Sequence, residues 1–147
     1  MNKKAVDLSF DFIEWLKQFS IRETSIYLGK EKLRVIVAGS RDFNNYELLY
    51  NKCENILYNI KSVEIVSGGA KGADSLGEKY AKEKGYKIKQ FNADWNSLGK
   101  SAGYIRNKEM AEYADALIAF WDGESKGTKH MINLANKNKL KVRVIYV

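Results

Sequence analysis

Five short apolar runs recur along the chain from residue 34, with a helical pattern between most successive pairs: RVIVAG, VEIVSGG, KIKQF, DALIAFW and KVRVIYV. An apolar run of this length, bounded by turn residues, suits a strand buried on both faces. Strands that alternate with helices predict an open α/β fold whose five strands form a parallel sheet joined by right-handed crossovers.

The intervening segments carry helix punctuation. NNYELLYNKCENILYNI opens at Asn44 with Glu47 three residues on, a variant of the capping box. Leu49, Cys53, Ile56, Leu57 and Ile60 share one face of that helix, so Cys53 is expected in the core. The next helix runs to about Lys84 and stops at Gly85. A long polar loop, NADWNSLGKSAG, leads into a helix around YIRNKEMAEY, and the turn DGESKG precedes the helix TKHMINLANKNK.

Residues 1–33 follow a different pattern. Leu8, Phe12, Trp15, Leu16 and Phe19 lie along one helical face, and Ser20 with Glu23 has capping-box spacing for a second short helix ending at Gly29. The expected organisation is a helical extension over 1–33 and an α/β domain over 34–147. So wide an apolar face must be covered by the α/β body, a second subunit or another protein. A homo-oligomer is the expectation, a two-fold dimer being the commonest form.

At 147 residues the chain is long enough for one domain with a sizeable core. No apolar run is long enough to cross a bilayer, and the first residues lack a signal peptide's apolar stretch, so no membrane contact and a cytoplasmic location are expected. Cys53 is the lone cysteine and His130 the lone histidine, which argues against an intrachain disulfide and against a zinc site; no metal or cofactor is expected. The net charge of +7 concentrates at residues 126–147, which hold six Lys and Arg and no acid. Such a stretch is either a solvated lysine-rich face or an attractor of nucleic acid or phosphorylated ligands.

In an open parallel sheet, the loops at the C-terminal strand ends line the ligand crevice. Three of them here are rich in Gly and small residues: GSRDF (39–43), SGGAKGAD (67–74) and WDGESKGT (121–128). Glycines let backbone N–H groups approach an anion, and a following helix adds its unpaired N–H groups and its dipole. The three loops are expected to converge on one crevice. Neither a Walker loop nor a strict G-x-G-x-x-G is present, so neither an NTPase nor an ordinary nicotinamide enzyme is supported.

Arg41 lies in the first turn, positioned to hold a phosphate bidentately. Arg106 and Asn107 are read into the first turn of the helix after the long loop. There Arg106 meets either an anionic ligand or a protein carboxylate such as Asp74 or Asp122. Asp122 suits ribose hydroxyls or a turn cap, and Thr128 a phosphate or a helix cap. His130 either lines the site or packs. Phe43, Phe91, Trp95 and Trp121 lie near the same edge; one of them suits stacking on a base, and core or loop packing suits most of them.

The segments VAGSRDF, VSGGAKGAD, ADW…GKSAGYIRN and ADALIAFWDGESKGTKHMI, in this order, resemble the YspA-like group of the SLOG superfamily. The resemblance covers roughly residues 34–147. It implies a Rossmann-like fold and a nucleotide or nucleotide-derived ligand; the α/β body is expected to have strand order 3-2-1-4-5 with helices on both faces. The resemblance also implies that Gly39, Ser40, Arg41, Gly68, Gly69, Gly72, Asp74, Arg106, Asn107, Gly127 and Thr128 line the pocket; the turn chemistry adds Ser67, Ala70 and Asp122. Related LOG-type enzymes release a base from a nucleoside monophosphate with a catalytic Glu, but the matching position here is Met131. Methionine cannot take a proton.

Three functions follow, in order. The first is capture of a nucleotide or nucleotide-derived small molecule by a sensor or sequestering protein. The second is a LOG-like nucleoside-phosphate N-glycosidase or phosphoribohydrolase using another carboxylate, with Glu124, Asp74 and Asp122 as candidates. The third is nucleic-acid binding through the basic C-terminal face, and nucleic acid is not expected as the partner.

Overall fold

The computed structural model describes residues 31–147. Its elements, in chain order, are β1 (Leu33–Gly39), α1 (Tyr46–Leu57), β2 (Val63–Ser67), α2 (Ala73–Lys84) and β3 (Lys87–Gln90). Then come α3 (Trp95–Leu98), a 3-10 turn (Gly99–Ser101), α4 (Ala102–Tyr113), β4 (Ala116–Trp121), α5 (Lys126–Lys137) and β5 (Lys141–Tyr146). The strands form one parallel sheet in the order β3-β2-β1-β4-β5. The expected fold class and strand order are therefore observed. The N-terminal helical hairpin, and the assembly role expected of it, fall on residues outside those described.

The strand period of two divides the sheet between two cores. Leu33, Val35 and Val37 of β1, with Ile65 and Ile118, pack under α1 and α2 against Leu49, Cys53, Leu57 and Tyr80. Ile36 and Ala38, with Val66 and Leu117, pack under α4 and α5 against Met110, Ala111, Met131 and Ala135. The central strand is thus apolar on both faces, as a covered parallel sheet requires. The edge strand β3 carries Lys87 and Lys89 into solvent, which discourages edge-to-edge pairing.

Three local expectations are corrected. The cap of α1 is Asn45 rather than Asn44: its Oδ1 accepts the Leu48 N–H at 3.0 Å. The long polar loop is partly helical, because Asp94 Oδ1 accepts the Ser97 N–H at 3.2 Å and starts α3. Finally, α4 begins at Ala102 and α5 at Lys126, each earlier than the apolar periodicity suggests. Their first turns are polar or glycine-containing and carry little periodic signal. Among the described residues, no helix is long and apolar enough to cross a membrane.

Candidate functional site

The C-terminal ends of β1, β2 and β4 deliver the three glycine turns to one edge of the sheet. The turn after β2 is pinned from below. Ser67, fully buried, donates from Oγ to Glu78 Oε2 at 2.6 Å and accepts the Gly69 N–H at 3.1 Å. Gln90 of β3 donates to the same Glu78 oxygen at 2.9 Å. The turn then closes on itself, the Ala70 N–H donating to Asp74 Oδ2 at 3.2 Å. Gly72, at φ 76° and ψ −126°, brings the chain against β1's loop, where a Cβ would lie 2.4 Å from the Ser40 and Arg41 carbonyl oxygens. Only glycine fits both that conformation and that approach.

Two adjoining clefts open above these turns. The larger, about 440 Å³, is lined by Arg41, Gly68, Gly69, Ala70, Lys71, Asn92, Ala93, Trp95 and Arg106. The smaller reaches under it to Gly39, Asp74, Asn107, Met110, Ser125, Gly127, Thr128 and Met131, and shares Arg41, Ala70 and Arg106. The loops at 39–43, 67–74 and 121–128 therefore meet at one crevice. Of the expected residues, Gly39, Arg41, Gly68, Gly69, Ala70, Asp74, Arg106, Asn107, Gly127 and Thr128 line it. Ser67 and Gly72 shape the turn from behind. Ser40 is buried, and its carbonyl accepts the Phe43 and Ala73 N–H groups at 3.1 and 3.3 Å. Exposed Asp122 takes the turn-capping alternative, its Oδ1 accepting the N–H groups of Ser125 at 2.7 Å and Glu124 at 2.9 Å. Those bonds hold its carboxyl below the ordinary carboxylate range.

Arg106 stands in the second turn of α4, not the first, so its own N–H belongs to the helix and only its side chain serves the crevice. The guanidinium donates from Nη1 to the Gly68 carbonyl oxygen and from Nε to Asn107 Oδ1 at 3.1 Å. No direct ion pair joins it to Asp74 or Asp122 among the described residues. Burial lowers its pKa; nearby Asp74 opposes that, and Arg41 reinforces it. Asp74 itself is pushed up to about 6 by burial, against the Ala70 N–H and the charge of Arg106. Exposed Arg41 has no hydrogen-bond or ion-pair partner among the described residues.

The N-terminus of α5 completes the wall. Ser125 precedes it without a side-chain cap bond, and the N–H groups of Lys126, Gly127 and Thr128 have no partner among the described residues. Ser125 Oγ and Thr128 Oγ1 lie 3.1 Å apart. Asn107 is held by its amide, which lies 3.1 Å from His130 Nδ1 and donates to the Gly127 carbonyl oxygen at 3.4 Å. His130, its pKa lowered by burial and its ring edge-on to Tyr104 at 4.5 Å, packs behind the crevice.

Residue composition alone does not single out Lys71, Asn92, Ala93, Ser125 or Met110 as crevice residues. Asn92 and Ala93 follow β3 at the same sheet edge, so the strand-end rule reaches them once that strand is placed. The other three have no signal apart from their neighbours.

A family model described as the YspA, cpYpsA-related SLOG family matches residues 33–97. "Gene 61 protein" of Mycobacterium phage D29 is 33% identical over 111 residues, which cover 71% of this chain and 89% of that protein. Among solved structures, DNA processing protein A (DprA) of Streptococcus pneumoniae superposes with a TM-score of 0.61 at 18% identity over 84% of this chain. The Helicobacter pylori DprA does so with 0.55 at 20% identity over 76%. The chain spans 52% of the first and 64% of the second, and these likenesses are of fold. The expectation that sets nucleic acid aside is corrected by this comparison. The Helicobacter pylori protein, on this fold, is described by its unique mode of binding single-stranded DNA.

Proposed function

Because the chain belongs to the YspA, cpYpsA-related SLOG family, we propose that its crevice binds a nucleotide or nucleotide-derived small molecule through the phosphate. In this reading the protein is a sensor or sequestering protein. The observation that carries it is the meeting of Arg41, Arg106 and the unpaired N–H groups of Gly127 and Thr128 on one crevice. A phosphate there finds a guanidinium fork and the positive end of a twelve-residue helix together. Capture without turnover is supported by Met131, apolar and 1% exposed, at the position that corresponds to the LOG glutamate.

A second reading is that the phosphate belongs to single-stranded DNA. Lys71 and Lys100 extend the cationic lining outward from Arg41, and the stretch 126–147 is basic throughout. The Helicobacter pylori DprA supports it by likeness of fold.

Calorimetry against nucleoside monophosphates, cyclic nucleotides and ADP-ribose derivatives tests the first reading, alongside a labelled single-stranded oligonucleotide titrated at several salt concentrations. Saturable nucleotide binding with no released base supports capture; free base in the mixture replaces it with the glycosidase. Oligonucleotide binding that weakens steeply with salt, without mononucleotide binding, favours DNA.

A further inference from the structure

Of the four aromatic side chains that the sequence puts near the strand ends, three are committed elsewhere, and Tyr104 beside the crevice is edge-on to His130. Phe43 stacks on Phe120 at 5.2 Å, and Phe91 packs on Tyr113 at 5.4 Å. Trp121 donates its indole N–H to the Ser125 carbonyl oxygen at 3.1 Å and leans on Tyr146. Trp95 is different. It is 50% exposed and has no ring partner among the described residues.

Trp95 is also shared between cavities. It lines the 440 Å³ cleft, and with Arg41 and Arg106 it also lines a further cleft of about 190 Å³ that includes Lys100 and Tyr104. The indole is therefore shared by both clefts, beside the two guanidiniums. We propose that Trp95 is the stacking platform for a nucleobase, so that the crevice takes nucleotides in preference to base-free sugar phosphates. This rests on the phosphate reading above and adds the residue that recognises the base.

The platform is held in place before any ligand arrives. Asp94 caps the short helix that carries Trp95. The far edge of the indole lies over Gly103 of α4, where a Cβ would come within 3.2 Å of Cη2. A stacking surface fixed in this way loses little side-chain entropy on binding. Asn92, on the same cleft, offers both a donor and an acceptor to a base edge. The cleft's volume lies within the usual range for small-molecule sites. A base on Trp95 with its phosphate at Arg41 and Arg106 uses the apolar and cationic parts of one wall at once, whether the nucleotide is free or part of a single strand.

The test compares the four nucleoside 5′-monophosphates and ribose 5-phosphate by calorimetry on the full chain and on Trp95→Ala and Trp95→Phe. A short single-stranded oligonucleotide and an abasic strand of equal length form the second pair of probes. In at least one pair, the base-bearing member is expected to bind wild-type protein about tenfold more tightly than its base-free counterpart. Trp95→Ala should abolish that difference without weakening the base-free member, and Trp95→Phe should keep most of it. Quenching of tryptophan fluorescence by the base-bearing probe should be lost in Trp95→Phe. Equal affinities within each pair on wild-type protein, or a difference that survives in Trp95→Ala, overturns the platform and leaves the phosphate site standing. No binding by any probe removes both.

Discussion

Arg106 of α4 and Gly68 of the turn after β2 are joined directly, the guanidinium donating from Nη1 to the carbonyl oxygen. The bond crosses thirty-eight positions of sequence and ties one wall of the crevice to the other. One side chain thus sets the shape of the glycine turn and supplies charge to the cavity above it. A Cβ on Gly68 would lie 2.8 Å from both Arg106 Nη1 and Asp74 Oδ2, so any side chain at position 68 would displace one of them.

Arg106→Ala is therefore expected to weaken nucleotide binding by about 2–4 kcal/mol, the scale for truncating a desolvated, hydrogen-bonded charge. Arg106→Lys should recover little, because an ammonium cannot bond Gly68 and a phosphate with a planar fork. Calorimetry on both variants checks this, with thermal unfolding as the control for loss of the Gly68 tie. Undiminished affinity in Arg106→Ala would make the arginine a structural brace only.

Gly72→Ala should cost about 2–4 kcal/mol of stability, combining a backbone conformation closed to L residues with overpacking against two carbonyl oxygens. Gly85→Ala is the comparison. It has a similar φ of 73°, but its ψ of 20° puts it in the left-handed helical region, the milder of the two conformations, and nothing lies within 4 Å of its Cβ position. Its cost should be limited to the conformational part, about 1–2 kcal/mol. Urea unfolding of the pair measures the difference, and equal costs would mean that the approach to Ser40 and Arg41 is relieved by a small shift of the loop.

Asp74 makes stability depend on pH in the less usual direction for a carboxylate. Its folded pKa of about 6 lies above its ordinary 3.8, so burial penalises the ionised form. Between those values the folded chain holds a proton that the unfolded chain has released, and stability falls as pH rises through that window. The penalty is fully present above the folded value and is relieved below the unfolded one. Asp74→Asn removes the titration but keeps an acceptor for the Ala70 N–H. Compared with the variant, wild-type protein should gain on the order of 2–3 kcal/mol between pH 7.5 and pH 4. Parallel stability curves would show that Asp74 is not desolvated in solution.

The sheet was legible because its signals are collective. Val35, Ile36 and Val37 are apolar regardless of which face each serves, and a parallel order follows from the helices between the strands. The site was legible wherever a turn needs glycine, at Gly68, Gly69 and Gly72. Helix starts were less so. With Asn44 and Asn45 adjacent, sequence cannot say which caps; the register is settled when Leu49 and Cys53 dock on the sheet. Arg106 was found as a residue but misplaced by a turn, since Ala102 and Gly103 begin α4 without an apolar stripe. Lys71 lies within the glycine turn 67–74 but has no feature of its own that marks it, and only the packing of β3 beside β2 brings Asn92 to the crevice.

Met131 of α5 lines the smaller cleft, 1% exposed and packed in the core with Met110 of α4. Introducing a carboxylate by Met131→Glu places a charge in the core cluster of Met110, Ala135 and Leu117, in a cleft that already holds Asp74. Burial and the neighbouring carboxylate both raise the new group's pKa, so its cost is present at neutral pH and relieved in acid. The variant should lose about 3 kcal/mol or more at pH 7.5 and clearly less at pH 5, on the scale of an unpaired buried charge. Met131→Leu should cost under about 1.5 kcal/mol, and Met131→Gln, which keeps the shape without the charge, should show no such pH dependence. Urea midpoints of the three variants at both pH values decide the matter. A Met131→Glu protein as stable as wild type at pH 7.5 would show that Arg106 reaches and pairs with the new carboxylate, which would make position 131 part of the binding crevice and not its apolar lining.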